Sequence, residues 1–168
     1  MLRRLVGSEM CIRDSANIQF YDGMTTKDIQ NVLVRSANDL ISLETPNYQY
    51  AAARLLSYDV RKEAHGQYEY TPLLKLILRN IRSGVYDKSI LEKYTKTEIK
   101  KFNTWIKRER DLKFTYAGLR QICDKYLVQD RSSGQIYETP QDMYMMIAAT
   151  LFADYPTKTR MSYVKKYY

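Results

Sequence analysis

Apolar residues in this sequence recur at three- and four-residue spacing, in segments that end at glycine or proline. One such stripe follows Thr25 and Asp28, a hydroxyl and an acid that are typical of a helix start; it comprises Ile29, Val32, Leu33, Ala37, Leu40 and Ile41. A second stripe runs from about Tyr48 to Gly66. This spacing places apolar side chains on one face of an α-helix. The sequence therefore predicts a helical hairpin near its start.

The helical pattern continues downstream with one interruption. Further helices are predicted over residues 72–84, 88–94, 95–106, 115–123 and 140–151, and the one that starts at Thr95 carries the capping box Thr95-x-x-Glu98. Residues 126–129 and 135–137 are short β-prone runs on either side of Gly134, a pattern typical of a hairpin. The predicted fold class is mainly α: a helical hairpin followed by a helical domain with one small β element near 126–137.

Few residues of this chain are suited to catalysis or metal binding. Two cysteines, Cys11 and Cys123, and one histidine are fewer than the four ligands of a Cys/His zinc site. His65 stands among charged residues, so we expect it to be solvated at the surface rather than to act in a catalytic triad. Glycine loops of the phosphate-binding type are absent. We therefore predict no catalytic residue and no metal site.

The length of the apolar runs and the number of cysteines indicate where in the cell the protein is found. No run of the sequence approaches the roughly 18 apolar residues that cross a membrane, and two cysteines do not form the disulfide framework of a small secreted protein. We expect a cytoplasmic protein without a membrane partner.

Positive charge is concentrated in two stretches. The formal net charge is +8, residues 79–113 contain 11 Lys and Arg against 5 Asp and Glu, and residues 157–168 contain 4 basic residues and no acid. Solvated helix faces with ion pairs explain this pattern, and so does a polyanion-binding surface with tyrosine rings as stacking partners. A stand-alone basic, Tyr-rich helical nucleic-acid-binding module is therefore an alternative, although we regard nucleic acid as the less favoured partner. A purely structural interaction module is a third.

The first fifteen residues differ from the rest. Their sequence, MLRRLVGSEMCIRDS, has apolar spacing that fits neither helix nor strand, and its apolar stretch is too short for a signal peptide. It resembles translated adaptor sequence. We therefore interpret residues 1–15 as extraneous to the native protein.

Two residues of the predicted hairpin suggest an anion site. Thr26 lies at a helix N-terminus, where backbone N–H groups and the helix dipole favour a phosphate. Lys62 is a cation at the far end of the next helix, and antiparallel packing would bring the two regions together. The spacing leaves open that Thr26 is only a cap.

Several separated motifs resemble ribonucleotide reductase large subunits, most closely the bacterial class Ia type. Residues 18–23 (IQFYDG) and 47–55 (NYQYAAARL) are similar to the second half of an ATP-cone, the N-terminal regulatory domain of these subunits. Residues 125–131 (KYLVQDR), 138–141 (ETPQ) and 155–160 (YPTKTR) resemble the helical region before the catalytic barrel. The resemblance divides the chain into residues 16–66, the C-terminal part of a cone, and residues 67–168, a helical domain that stops before the barrel.

The resemblance implies a function. The family reduces ribonucleoside diphosphates to deoxyribonucleoside diphosphates by radical chemistry, with a radical-generating small subunit and a large-subunit homodimer. It implies that Thr26 and Lys62 contact ATP or dATP as allosteric effector, with no cofactor and no catalytic residue in this segment, which should be inactive alone. Gln30 replaces a histidine of related bacterial cones, and the first half of the cone is missing. Half of the nucleotide site is then absent.

Overall fold

We describe the chain from a computed structural model, which covers Arg3–Asn17 and residues 19–168, with side chains from Met10 onward. Met1 and Leu2 of the segment interpreted as extraneous, and Ile18 of the cone motif, lie outside the described residues. In the described part, nine α-helices and one 3-10 helix (Arg108–Lys113) account for the regular structure. The α-helices are α1 (Arg3–Asn17), α2 (Thr26–Asp39), α3 (Tyr48–His65), α4 (Leu73–Arg82), α5 (Ser89–Lys93), α6 (Lys96–Trp105), α7 (Tyr116–Lys125), α8 (Pro140–Leu151) and α9 (Thr157–Tyr167). The predicted mainly α class is confirmed.

The predicted β element is a minimal hairpin. Gln129 and Ile136 form a single antiparallel bridge, and the Asp130 N–H donates to the Gln135 carbonyl at 2.9 Å. Gly134 closes the turn with a φ of 74°, a conformation that glycine adopts at little cost. Within residues 3–17 and 19–168 no longer ladder extends this bridge.

Helix α1 corrects one expectation. Residues of the first fifteen were predicted to be neither helix nor strand, yet Arg3–Asn17 is helical and packs against α2. Apolar periodicity is weak in this segment, and packing against a neighbour supplies the stabilisation that a short isolated helix lacks. The origin of residues 1–15 stays a prediction, because a helical conformation does not distinguish native from extraneous sequence.

The chain forms two compact units, which cut across the predicted division at residue 66. One unit comprises residues 1–59 and 112–121, and the other comprises residues 60–111 and 122–168. These units reflect packing, whereas the predicted division reflects relatedness, so that division stays a prediction. Small side chains dominate the core of the first unit: Ala16, Val34, Ala37, Ala52, Ala53, Leu56 and Leu119.

The second unit has a larger core, built around α4, α6, α8 and α9. Its buried members are Leu73, Leu76, Ile77, Ile90, Tyr94, Ile99, Phe102, Met145, Ala148, Ala149 and Val164. Glu98 of α6 links two helices, because it completes the capping box with Thr95 and accepts both a 2.8 Å and a 2.9 Å hydrogen bond from the Arg160 guanidinium of α9. A bidentate pair of this kind fixes the two helices in register.

Candidate functional site

The N-terminus of α2, in the first unit, is capped by Thr25 rather than by Thr26. The Thr25 hydroxyl accepts from the Asp28 N–H at 3.1 Å, and the Asp28 carboxylate accepts from the Thr25 N–H at 3.2 Å. Thr26 is the first helical residue, is exposed, and its hydroxyl has no hydrogen-bond partner among the described residues. The alternative that Thr26 is only a cap is therefore wrong, and its hydroxyl can bind an external acceptor.

Gln30 of α2, which the sequence comparison with the cone motif singled out, has a structural contact. Its side-chain amide donates to the Leu55 carbonyl of α3 at 2.8 Å and is partly buried. This bond ties α2 to α3 within the first unit. The amide cannot take a proton, so an effector at this position would meet a neutral donor instead of an ionisable ring.

Lys62 lies in the last turn of α3, within the second unit. Its ammonium lies over the Tyr68 ring, 5.3 Å from the centroid, and no carboxylate pairs with it among the described residues. A cation held by an aromatic face keeps its charge for a further anionic partner. Sequence reasoning missed Tyr68, because a contact across a chain reversal leaves no periodic signal.

Four hydrogen bonds from outside the helix hold the C-terminal end of α3. The Glu63 carboxylate accepts from the Ile136 N–H at 3.0 Å, and the Gln135 side chain donates to the Glu63 carbonyl at 3.3 Å. The Arg79 guanidinium donates to the Ala64 carbonyl, and the His65 Nδ1 accepts from a backbone N–H of the following loop at 3.3 Å. Helix-end carbonyls need such partners. These contacts fix the backbone that carries Lys62.

His65 corrects a second expectation, since it is buried rather than solvated. Its side chain is 0% exposed, and its Nε2 lies 3.4 Å from the Asp142 carboxylate, which is itself 0% exposed. Asp142 also lies 2.7 Å from the Arg108 guanidinium and accepts from the Thr139 hydroxyl at 2.6 Å. The charged residues near His65 in the sequence predicted exposure, but its ring is buried at the end of α3. The arrangement is a paired buried network, in which a charge without partners would be costly.

The same polar cluster contains two cation–π contacts on one ring. Tyr70 packs with its ring centroid 4.4 Å from the Arg108 guanidinium carbon and 5.0 Å from that of Arg61. The His65 ring meets Tyr70 edge-on at 5.3 Å. The ring therefore separates two like charges while attracting both. The contacts are those of a structural anchor, because each of these side chains packs against another protein group.

Thr26 and Lys62 belong to different compact units, and each is described within its own. Metal ligands do not gather anywhere in residues 3–17 and 19–168, where no group of three His, Cys, Asp or Glu side chains could hold an ion. The helices of the same residues include none that is both long and apolar enough to cross a membrane.

Comparisons with known proteins identify the family that this chain resembles. Residues 112–168 match the family described as ribonucleotide reductase, all-alpha domain. The chain is 46% identical over 153 residues to ribonucleoside-diphosphate reductase 1 subunit alpha of Escherichia coli K12, which covers 91% of this chain and 20% of that protein. It is 45% identical over 154 residues to the subunit alpha of Enterobacteria phage T4 (90% of this chain, 20% of that protein). The corresponding subunit of Haemophilus influenzae is 41% identical over 153 residues (91% and 20%).

These matches confirm the resemblance inferred from the motifs. The all-α class of the described helices is that of the matched domain. The chain belongs to the large-subunit family of the ribonucleotide reductases. In particular, it is similar to ribonucleoside-diphosphate reductase subunit alpha, and it spans about a fifth of the length of these relatives.

Proposed function

We propose that this chain is part of the large subunit of a cytoplasmic ribonucleoside-diphosphate reductase, and that it contributes Thr26 and Lys62 to an allosteric ATP or dATP site. The whole enzyme reduces ribonucleoside diphosphates to deoxyribonucleoside diphosphates by radical chemistry, with a second large subunit and a radical-generating small subunit as partners. The segment itself supplies no catalytic residue. The similarity across 91% of the chain carries the family part of this proposal.

One structural observation supports the effector part. The Thr26 hydroxyl and the Lys62 ammonium are polar groups without a hydrogen-bond or ion-pair partner in the described chain. A hydroxyl and N–H groups at a helix N-terminus, together with an ammonium, form a suitable set of donors for phosphate oxygens. Asp28 opposes phosphate binding at the same helix end, so we expect these donors alone to bind nucleotide weakly.

The melting temperature (Tm) of the chain, measured with and without nucleotide, tests this proposal. We expect ATP or dATP to bind with a Kd of about 1 mM, and to raise the Tm by about 3 °C at tenfold excess over Kd. Thr26→Val and Lys62→Met should each abolish the rise, because each removes one phosphate donor. Lys75→Met, which changes an exposed lysine of α4, should retain it.

Two results would contradict these expectations. A rise that saturates at low micromolar nucleotide would contradict the Kd of about 1 mM. A rise that survives both Thr26→Val and Lys62→Met would place the nucleotide elsewhere.

A further inference from the structure

Two lysines lie over one tryptophan ring where α6 packs against α9. The ammonium groups of Lys101 and Lys165 lie 6.0 and 5.7 Å from the Trp105 ring centroid. Toward the start of both helices, Arg160 pairs with Glu98, so the contacts occur in the same order along α6 and α9. We call Lys101, Trp105 and Lys165, together with Lys158 of the same helix as Lys165, the α6–α9 seam.

The seam carries uncompensated positive charge. Its three lysines are exposed, as is the adjacent Lys166 of α9, and none of these four forms an ion pair within residues 3–17 and 19–168. Helix α9 contains no acid, and the acid of α6, Glu98, is already paired with Arg160. A surface with one sign of charge attracts partners of the opposite sign and raises their rate of association.

The aromatic rings nearby favour an acidic protein over a nucleic acid. Nucleotide bases stack on open ring faces, whereas two ammonium groups already lie over Trp105 and Phe102 packs 5.7 Å from it. The exposed Tyr155 and Tyr163 pack on each other at 5.2 Å and on Phe152 at 5.1 and 5.6 Å. A carboxylate needs only the ammonium groups, which are accessible.

We propose that the α6–α9 seam is a docking surface for an acidic protein segment, whose carboxylates pair with Lys101 and Lys165. Binding moves the two ammonium groups from the ring toward the carboxylates. This surface is independent of the nucleotide site proposed at Thr26 and Lys62, because it uses none of the same residues.

Intrinsic fluorescence reports on the seam directly, since Trp105 is the single tryptophan of the sequence. We expect an octaglutamate peptide to change Trp105 emission saturably, with an affinity that falls as salt increases. Lys101→Glu/Lys165→Glu should weaken binding by about tenfold or more, because it replaces two attractions by two repulsions. The control pair Lys75→Glu/Lys88→Glu makes the same change in net charge elsewhere in the second unit. Its affinity for octaglutamate should stay within about twofold of that of the unmodified protein.

Three outcomes would overturn the proposal. Equal weakening by both pairs of variants would show a response to net charge alone. If the peptide binds without a change in Trp105 emission, its binding site lies away from the seam. Tighter binding of a sixteen-nucleotide oligothymidylate than of octaglutamate would identify a nucleic-acid surface. If circular dichroism shows that Lys101→Glu/Lys165→Glu is unfolded, Lys101→Met/Lys165→Met replaces it. Peptide affinity and Trp105 emission are then measured on that variant.

Discussion

The Asp142 carboxylate shows how the second unit keeps charges in its interior. Burial opposes its ionisation, but the neighbouring His65 ring, the Arg108 charge and the Thr139 hydroxyl outweigh burial, and they hold its pKa below the ordinary value. Stability from such a group is present above the ordinary carboxyl pKa and is lost as the pH falls through the lowered one. This network therefore stabilises the fold at neutral pH.

Glu138 has the opposite behaviour, although it lies in the same region. It is 2% exposed, and burial raises its pKa to about 7, despite hydrogen bonds from the Tyr86 hydroxyl and the Val128 N–H. Burial likewise raises the pKa of Asp111 to about 6. Because both carboxyls bind protons more tightly in the folded state, their contribution to stability is complete below the unfolded pKa values and is lost as the pH rises to about 7.

We predict that Glu138→Gln flattens this pH dependence. The amide keeps an acceptor for Val128 and can donate to Tyr86, but it does not ionise. Between pH 6 and 8 the wild-type free energy of unfolding should fall relative to the variant by about 1 kcal/mol, since one pKa unit corresponds to about 1.4 kcal/mol. Urea unfolding at several pH values measures the difference. Parallel curves for the two proteins over this range would show that Glu138 does not titrate there.

At the scale of elements, threonine caps stabilise α2 and α6 in the same way. Thr25 and Thr95 each share three hydrogen bonds with the acid three residues later: the threonine N–H and hydroxyl donate to the carboxylate, and the hydroxyl accepts from the acid's backbone N–H. We predict that Thr25→Ala and Thr95→Ala each lower the free energy of unfolding by about 1 kcal/mol. Thr104→Ala is the matched control in α6, because Thr104 bonds only within its own helix and alanine is the better helix former. Losses no larger than that of the control, in urea unfolding, would contradict the capping role.

These caps also explain which elements the sequence predicts. Thr25, Thr95 and Pro140 are local signals, since a cap or an N-terminal proline acts within one helical turn, and the helices that follow them were predicted. The 3-10 helix at Arg108–Lys113 lacks both a cap and an apolar stripe, and it was missed. Helix α1 was missed because it lacks an apolar stripe.

The candidate site likewise has residues that the sequence predicts and contacts that it does not. Thr26 and Lys62 were identified from helix ends and from the family motifs, which are local. The contacts of Lys62 with Tyr68, and of His65 with Asp142, join residues across chain reversals. Apolar periodicity reports only which face of a helix is buried, so it cannot reveal a polar pair formed between two helices.

At the scale of the whole molecule, the basic side chains behind the net charge of +8 fall into groups with different surroundings. Some cations are buried in ion pairs, such as Arg160 with Glu98, and others pack on aromatic rings, such as Arg108 on Tyr70. The lysines of the α6–α9 seam form a third group, which is exposed and makes no ion pair within the part of the chain that the structure describes. Charge composition alone does not separate these three groups, because pairing depends on tertiary contacts.

The central proposal is that Thr26 and Lys62 contribute to an allosteric ATP or dATP site. Residue-resolved NMR of the 168-residue chain, titrated with ATP, tests it most directly. We predict that the signals of Thr26, Lys62 and the Tyr68 ring shift together with a single Kd of about 1 mM, and that Lys62→Met removes the shift at Thr26. Shifts confined to the α6–α9 seam, or shifts at Thr26 and Lys62 with different Kd values, would contradict the claim.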